Sequence, residues 1–377
     1  MNVLVAADYR SPYGGNFIGS FLDLGMSLNA RGDNLLFLFP LMEEKERFGI
    51  SYIKNAGHKV YFIDMSGRKD IFLKELSDII SANQIDLIHS NFGMLYHDFL
   101  FNKPMFGKTR LLFHDHMGFQ TNQSLITQKF KNFLRSILFL KNRIGVISVM
   151  KEKDSSYSAN IGKHWFIPNG ISFRRCLSES LSREARRLER GISEKTKLVL
   201  AFGWNFEIKG IDIAVQSVEI ARKKDPSIEL AVVIQTEKIT ERERNQLLIK
   251  TGLDPDKTPW LHFWPGIEDV YSYHRAADVF LSCSRTEAFS FAILEAISQR
   301  CPVVMSDITG TRWAKQYTKC LSFHDGDISD CSKKITDAIL LTQKTSDNSE
   351  DIIGSYSIDK WRNKVLAVYD SMMKVQP

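Results

Sequence analysis

Short apolar runs recur along the chain, each followed by a stretch with helical spacing. Val3–Ala7, Leu35–Phe39, Lys59–Ile63, Leu87–His89, Arg110–Phe113 and Gly145–Ser148 are near-continuous apolar runs. That is the pattern of strands buried on both faces. Between them, Phe17–Ala30 and Ile71–Ala82 repeat apolar residues at a helical period. Strand and helix in alternation predict a parallel sheet covered by helices, with right-handed crossovers. The series pauses near Ile171. Residues 172–196 are polar and carry Arg183, Arg186, Arg187 and Arg190, which predicts a linker and then a solvated helix. A second series follows at Leu198–Gly203, Leu230–Ile234, Leu261–Trp264, Val279–Ser282, Pro302–Met305 and Leu321–Phe323. A last helix is predicted over Ile358–Met373, with Trp361, Val365, Val368, Tyr369 and Met372 on one face.

The expected fold is therefore α/β, with two Rossmann-like parallel-sheet domains over residues 1–172 and 173–355. The helix within 356–377 is expected to pack back toward the first domain. Ligands of open parallel sheets bind beyond the carboxyl ends of the strands. With two such domains, the expected site is a central cleft that both sets of strand ends face.

Composition changes this picture little. Of 377 residues, 44% are hydrophobic and 25% charged, which is ordinary globular usage. No apolar run of about 18 residues occurs, so a spanning helix is not expected. The first residues, Met1 to Ala7, read as a strand and not as an export signal. Cys176, Cys283, Cys301, Cys320 and Cys331 are widely spaced and form no CxxC pair. Reduced thiols in a cytoplasmic protein are expected, without a zinc site or disulfide framework. The net charge of +6 is compatible with an anionic ligand or an anionic membrane face. The basic residues are dispersed and no nucleic-acid module is recognisable, so nucleic acid is not expected as a partner.

The chemistry-bearing segments sit just after strands. Arg285-Thr286-Glu287-Ala288-Phe289-Ser290-Phe291 follows the run Val279–Ser282 and opens a helix that contains Glu295. The helix-start N–H groups near Phe289, Ser290 and Phe291 suit a phosphate. Glu295, about two turns in, can accept both ribose hydroxyls of a nucleotide, and Glu287 can bind sugar hydroxyls. Two glutamates in an ordinary helix with an acidic first turn are the alternative. Gly203-Trp204-Asn205-Phe206-Glu207-Ile208-Lys209-Gly210 follows the run from Leu198. There Lys209 is either a phosphate ligand or a solvated helix-start lysine. Gly14-Gly15 after the first strand allows close backbone approach to a ligand, or forms a simple tight turn. No G-x-G-x-x-G occurs, which disfavours dinucleotide binding.

Taken in order, the segments Ile167–Ile171, Phe202–Asp212, Ala276–Ser282, Glu287–Glu295 and Pro302–Ser306 resemble the retaining glycosyltransferases of family 4, of the GT-B fold, the glycosyl transferases group 1. Glu287 and Glu295 match the two glutamates of that family's E-x7-E motif. The resemblance implies that Lys209 neutralises a donor diphosphate, with Gly15, Gly203, Arg285, Phe289, Ser290, Phe291 and Glu295 at the donor. It also implies catalytic roles for Glu287, His114 and Lys209, and retention of anomeric configuration. Ala288 and Ser290 stand where the family usually has glycines. Trp204 stands where it has an arginine, so one cation for the leaving group is missing unless Arg285 replaces it.

His114-Asp115-His116 ends the run from Arg110. His114 is read as a sugar contact or a structural residue; a metal site is a poor third reading. Residues 128–143 are basic and amphipathic. They either lie on an anionic membrane face or pack on the sheet with their lysines in water. The expected protein is thus a hexosyl- or N-acetylhexosaminyl-transferase acting in cell-surface polysaccharide or glycoconjugate synthesis. It needs no metal or cofactor, takes a UDP- or GDP-sugar, and passes the sugar to a glycan or lipid-linked acceptor. A catalytically silent GT-B subunit and a sugar-nucleotide epimerase are the rival expectations.

Overall fold

The structure is a computed structural model that describes residues 1–9, 11, 13–41, 48–95, 98, 102, 106–116, 144–150, 163–172, 181–341 and 346–374. The basic stretch 128–143 and Cys176 lie outside the described residues. The chain divides into two compact units, one of Met1–Gly170 with Ile358–Pro377, the other of Ile171–Ser357.

The first unit holds β1 (Asn2–Ala7), α1 (Gly15–Asn29), β2 (Asn34–Pro40), α2 (Phe48–Asn55), β3 (Lys59–Ile63), α3 (Lys69–Ala82), β4 (Leu87–Asn91), β5 (Arg110–Asp115), β6 (Ile144–Ser148) and β7 (Lys163–Phe166). These form a seven-stranded sheet in the order β3-β2-β1-β4-β5-β6-β7, with every pair parallel. The order reverses between β1 and β4, which gives a crevice at their carboxyl ends. β7 is absent from the apolar pattern. Its four residues Lys-His-Trp-Phe are half-buried or exposed, as an edge strand allows.

The second unit holds α4 (Arg183–Glu189), β8 (Lys197–Phe202), α5 (Ile211–Arg222), β9 (Ile228–Ile234), α6 (Glu241–Thr251), β10 (Leu261–Pro265), α7 (Val270–Ala276), β11 (Val279–Ser282), α8 (Phe291–Ser298), β12 (Val303–Ser306), β13 (Cys320–Phe323), α9 (Ile328–Leu341) and α10 (Ser349–Ser355). Its six strands run in the order β10-β9-β8-β11-β12-β13, again all parallel. Here the order reverses between β8 and β11. The loops after those two strands carry Lys209 and Glu287.

The last helix, α11 (Ile358–Lys374), belongs to the first unit. Its face of Trp361, Val365, Val368, Tyr369 and Met372 is buried in the same core as Phe17, Phe21 and Leu24 of α1. Arg362 pairs with Asp23 across that contact at 2.8 Å. The chain enters and leaves the second unit side by side, with the Ile171 N–H donating to the Tyr356 carbonyl at 2.9 Å. Among the described residues no helix is long and apolar enough to cross a membrane.

The arginine-rich helix is not solvated, contrary to expectation. Arg186 and Arg187 of α4 are buried. Arg187 donates to the Ala276 carbonyl at 2.8 Å and the Ser193 carbonyl at 2.9 Å, and pairs with Asp278 at 3.3 Å. Arg183 donates to the carbonyls of Arg275 at 3.1 Å and Ala277 at 2.9 Å. The last carbonyls of a helix lack intrahelical donors and sit at the negative end of its dipole. These guanidinium groups satisfy them at the end of α7, so their charge serves packing. Replacing Arg187 by Met leaves the Ala276 and Ser193 carbonyls without this donor and takes one cation from Asp278, and an expected loss of about 3 kcal/mol follows. Urea denaturation of the variant measures it; an unchanged midpoint would refute this account.

Candidate functional site

The site in the second unit rests on two loops welded at the backbone. β8 and β11 are neighbours, with Leu200 opposite Phe280 and Ala201 opposite Leu281. Beyond them, the Arg285 N–H donates to the Ile208 carbonyl at 2.8 Å. Gly210, in the left-handed region at φ 61°, caps α5. A Cβ at Gly210 would overlap the Cys283 carbonyl, so only glycine lets the two loops approach this closely.

That closeness brings Lys209 and Glu287 together. The Lys209 ammonium is ion-paired with Glu287 Oε1. Ser284 Oγ donates to the same oxygen at 3.2 Å. An ammonium has three donors, and Glu287 takes one of them. Glu287 is in turn fixed from behind. A Cβ at Gly310 would overlap the Glu287 carbonyl, so the turn after β12 presses directly on this loop. Ser306 Oγ donates to the Ser284 carbonyl at 2.6 Å, and Thr311 Oγ1 to the Ser306 carbonyl at 2.7 Å. Both side chains are fully buried.

Arg285 lies in the same loop but is held by a carboxylate. Its two terminal nitrogens donate to Asp212 at 3.0 and 2.7 Å, a bidentate pair. Arg285 also donates to the Glu207 carbonyl at 2.6 Å. The Arg285 bond and charge, with the charge of Lys250, hold the Asp212 carboxyl below its usual range, against the burial that would raise it. Asp212 lies one residue into α5 in a segment singled out from the sequence, yet no role follows for it from spacing alone. Lys209, Arg285, Glu287 and Asp212 together sum to zero charge. Trp204 is 40% exposed.

α8 opens beside Glu287. Ser290 caps it, its Oγ accepting from the Ile293 N–H at 3.4 Å. The N–H groups of Phe291 and Ala292 therefore have no intrahelical acceptor. The Phe289 ring does not reach outward. It stacks on Trp313 with centroids 4.5 Å apart and leans on Tyr356 at 5.3 Å. Only the backbone of Phe289 remains for a ligand. Glu295 lies in the second turn of α8, is 7% exposed, and has Oε2 3.7 Å from Nε2 of the buried His274. Gly203 is closely packed, since a Cβ there would meet Val232 and Phe206.

His114 and Gly15 belong to the first unit. His114 is 1% exposed and sits in a chain of polar rings. Its Nδ1 is 3.1 Å from His89 Nε2, and His89 Nδ1 is 2.7 Å from the Tyr369 hydroxyl on α11. The His114 ring stacks on that of His116 at 4.0 Å. Burial pushes the His89 imidazole down to about 3 and holds His114 well below its ordinary range. Gly15 opens α1 at φ 54°, its face against the Tyr9 hydroxyl. Among the described residues, no group of three or more His, Cys, Asp or Glu is placed to hold a metal ion.

Residues 182–352 match the family described as Glycosyl transferases group 1. The match covers the strands, loops and helices of the second unit just described. The lipopolysaccharide glucosyltransferase WaaG of Escherichia coli is 30% identical over 156 residues, which are 41% of this chain and 40% of that protein's length. Among solved structures, a glycosyltransferase from Rickettsia africae has a TM-score of 0.75 at 14% identity, covering 100% of this chain and 99% of that one. Anabaena HepE, solved with UDP and glucose, has a TM-score of 0.75 at 16% identity, covering 98% of this chain and 100% of that one. The fold is GT-B, with two Rossmann-like parallel-sheet domains.

Two expected outcomes follow. Gly310→Ala must displace the Glu287 loop, so stability is expected to fall by about 1–3 kcal/mol in urea denaturation. An unchanged midpoint would show that the turn after β12 does not press on this loop. The second outcome concerns pH. His89 and His114 stay neutral in the folded chain while the unfolded chain takes up protons below about 6.5. For His89 the stability this gives is complete above about pH 6.5 and is lost as pH falls toward 3, by about 1.4 kcal/mol per pH unit. Between about pH 7 and 5, His89→Phe should lose about 2 kcal/mol less than the parent chain in urea denaturation. Equal losses would contradict the neutral assignment.

Proposed function

We propose that this protein is a retaining glycosyltransferase that moves a sugar from a nucleotide-diphosphate sugar to a glycan or lipid-linked acceptor. The observation that carries the reading is the convergence, at one strand-order reversal, of the Lys209–Glu287 pair, the open N-terminus of α8 and the shielded carboxylate of Glu295. The diphosphate lies at the helix start with Lys209 beside it, where negative charge grows as the anomeric bond breaks. Glu287 accepts hydroxyls of the donor sugar, and Glu295 accepts those of the ribose. No side chain serves as a covalent nucleophile; the leaving phosphate takes the acceptor's proton. Similarity to HepE, solved with UDP and glucose, and to the lipopolysaccharide glucosyltransferase WaaG favours a UDP-hexose and a role in cell-surface glycan synthesis. A GDP-sugar is the next donor to try. Contact of residues 128–143 with an anionic membrane face would bring a lipid-linked acceptor to the site.

One observation favours a second reading, a catalytically silent subunit. Trp204 replaces the family arginine, and Arg285, its natural substitute, is bound to Asp212. On that reading nucleotide sugars bind but do not turn over.

A thermal-shift screen of UDP-, GDP- and ADP-sugars identifies the donor, because a ligand that binds only the folded state raises the midpoint. Donor hydrolysis with that sugar then separates the readings. Lys209→Ala is expected to lower kcat by about a hundredfold or more, the loss of one charge on the leaving group. Glu287→Ala is expected to lower kcat comparably. Binding without turnover in the parent chain would select the silent subunit; no binding of any nucleotide sugar would end both readings.

A further inference from the structure

A fully buried imidazole stands behind Glu295. His274 lies on α7, which packs against α8, and its side chain is 0% exposed. Its ring rests against Phe202 with centroids 5.2 Å apart and edge-on to Phe280 at 4.9 Å. Neither ring nitrogen has a hydrogen-bond partner. Even a neutral imidazole carries one N–H, and burying that donor unpaired is unfavourable. A phenyl or aliphatic side chain would fill the same apolar space without that cost. The facing polar atom is Glu295 Oε2, 3.7 Å from Nε2. That gap is about half an ångström longer than a hydrogen bond.

We infer that His274 is a positioning residue for nucleotide recognition. Its Nε2–H holds Oε2 of Glu295 while the other carboxylate oxygen accepts a ribose hydroxyl. This rests on the ribose role given to Glu295 above. A glutamate carboxylate turns easily about its last bond, since that torsion has only broad preferences. A donor on one oxygen, added to the contacts Glu295 already makes, sets the direction in which the second oxygen faces the ligand. Ligand binding closes the gap and pairs the buried N–H, so the unpaired imidazole of the free protein is the loaded half of a contact completed on binding.

The test compares affinities of the full chain for UDP, GDP and ADP with those for their 2′-deoxy counterparts, by calorimetry. The parent chain is expected to prefer one ribonucleotide over its deoxy form by about tenfold or more. Glu295→Ala should bring that ratio close to one. His274→Phe and His274→Leu remove the donor with two shapes, so either one that folds carries the comparison. Each is expected to cut the ratio severalfold while affinity for the deoxy form stays near that of the parent. His274→Gln, which keeps an N–H, should restore much of the ratio. If the apolar variants keep the parent ratio while Glu295→Ala loses it, the role of His274 is overturned and that of Glu295 stands. If Glu295→Ala keeps the ratio, or no ribonucleotide binds, both fall.

Discussion

The site depends on a single backbone hydrogen bond, from the Arg285 N–H to the Ile208 carbonyl, and on the missing side chain at Gly210 that lets it form. Parallel strands leave their carboxyl ends side by side, but the loops beyond them are free to diverge. Here the loops after β8 and β11 are pinned together before either reaches its helix. Lys209 and Glu287, 78 positions apart in sequence, meet because of that weld. The bidentate pair between Arg285 and Asp212 forms alongside it. The second restraint comes from the other flank, where Gly310, Ser306 and Thr311 hold the Glu287 loop against β12. Lys209 and Glu287 are thus placed by close main-chain contacts, braced by two buried hydroxyls.

Charge balance shapes what such a site can do. Lys209 and Arg285 each already have a carboxylate, so under the proposed function attraction for a diphosphate would come from oriented N–H groups and the unused donors of Lys209 more than from net charge. A site of this kind favours a ligand that offers hydroxyls to the carboxylates and phosphate oxygens to the donors at once. A nucleotide sugar has both; free phosphate has only the second. Discrimination against bare anions is then a property of the pairing itself.

Much of the fold was legible because strands buried on both faces must be apolar throughout, and near-continuous apolar runs mark twelve of the thirteen described strands, the half-buried β3, β10 and β13 among them. β7 is not so marked, since an edge strand may carry Lys163 and an exposed Phe166. The arginines of α4 misled for a different reason. A helix with Arg183, Arg186, Arg187 and Arg190 reads as solvated unless one knows that carbonyl groups of α7 lie within reach, and that is a fact of tertiary contact. In the site, the segments bearing Lys209, Glu287 and Glu295 could be marked from their places after strands. Their partners could not. Asp212, Ser284, Gly310 and His274 have ordinary sequence surroundings, and what they do comes from which element they face. The ring of Phe289 was equally hidden, since only the fold brings Trp313 and Tyr356 against it.

The placement of α11 bears on how the chain is assembled. The second unit is, in effect, inserted into the first, between Gly170 and Ile358. On the ribosome, the strands of the first sheet emerge early, but the face that covers α1 and joins Tyr369 to His89 arrives only after the whole second unit. Until then the first unit has an open apolar flank, whereas the second can close around its own core as it is made. Order of synthesis and order of completion are therefore reversed, and the polar ring chain at His114 gains its Tyr369 link only after the second unit has been made.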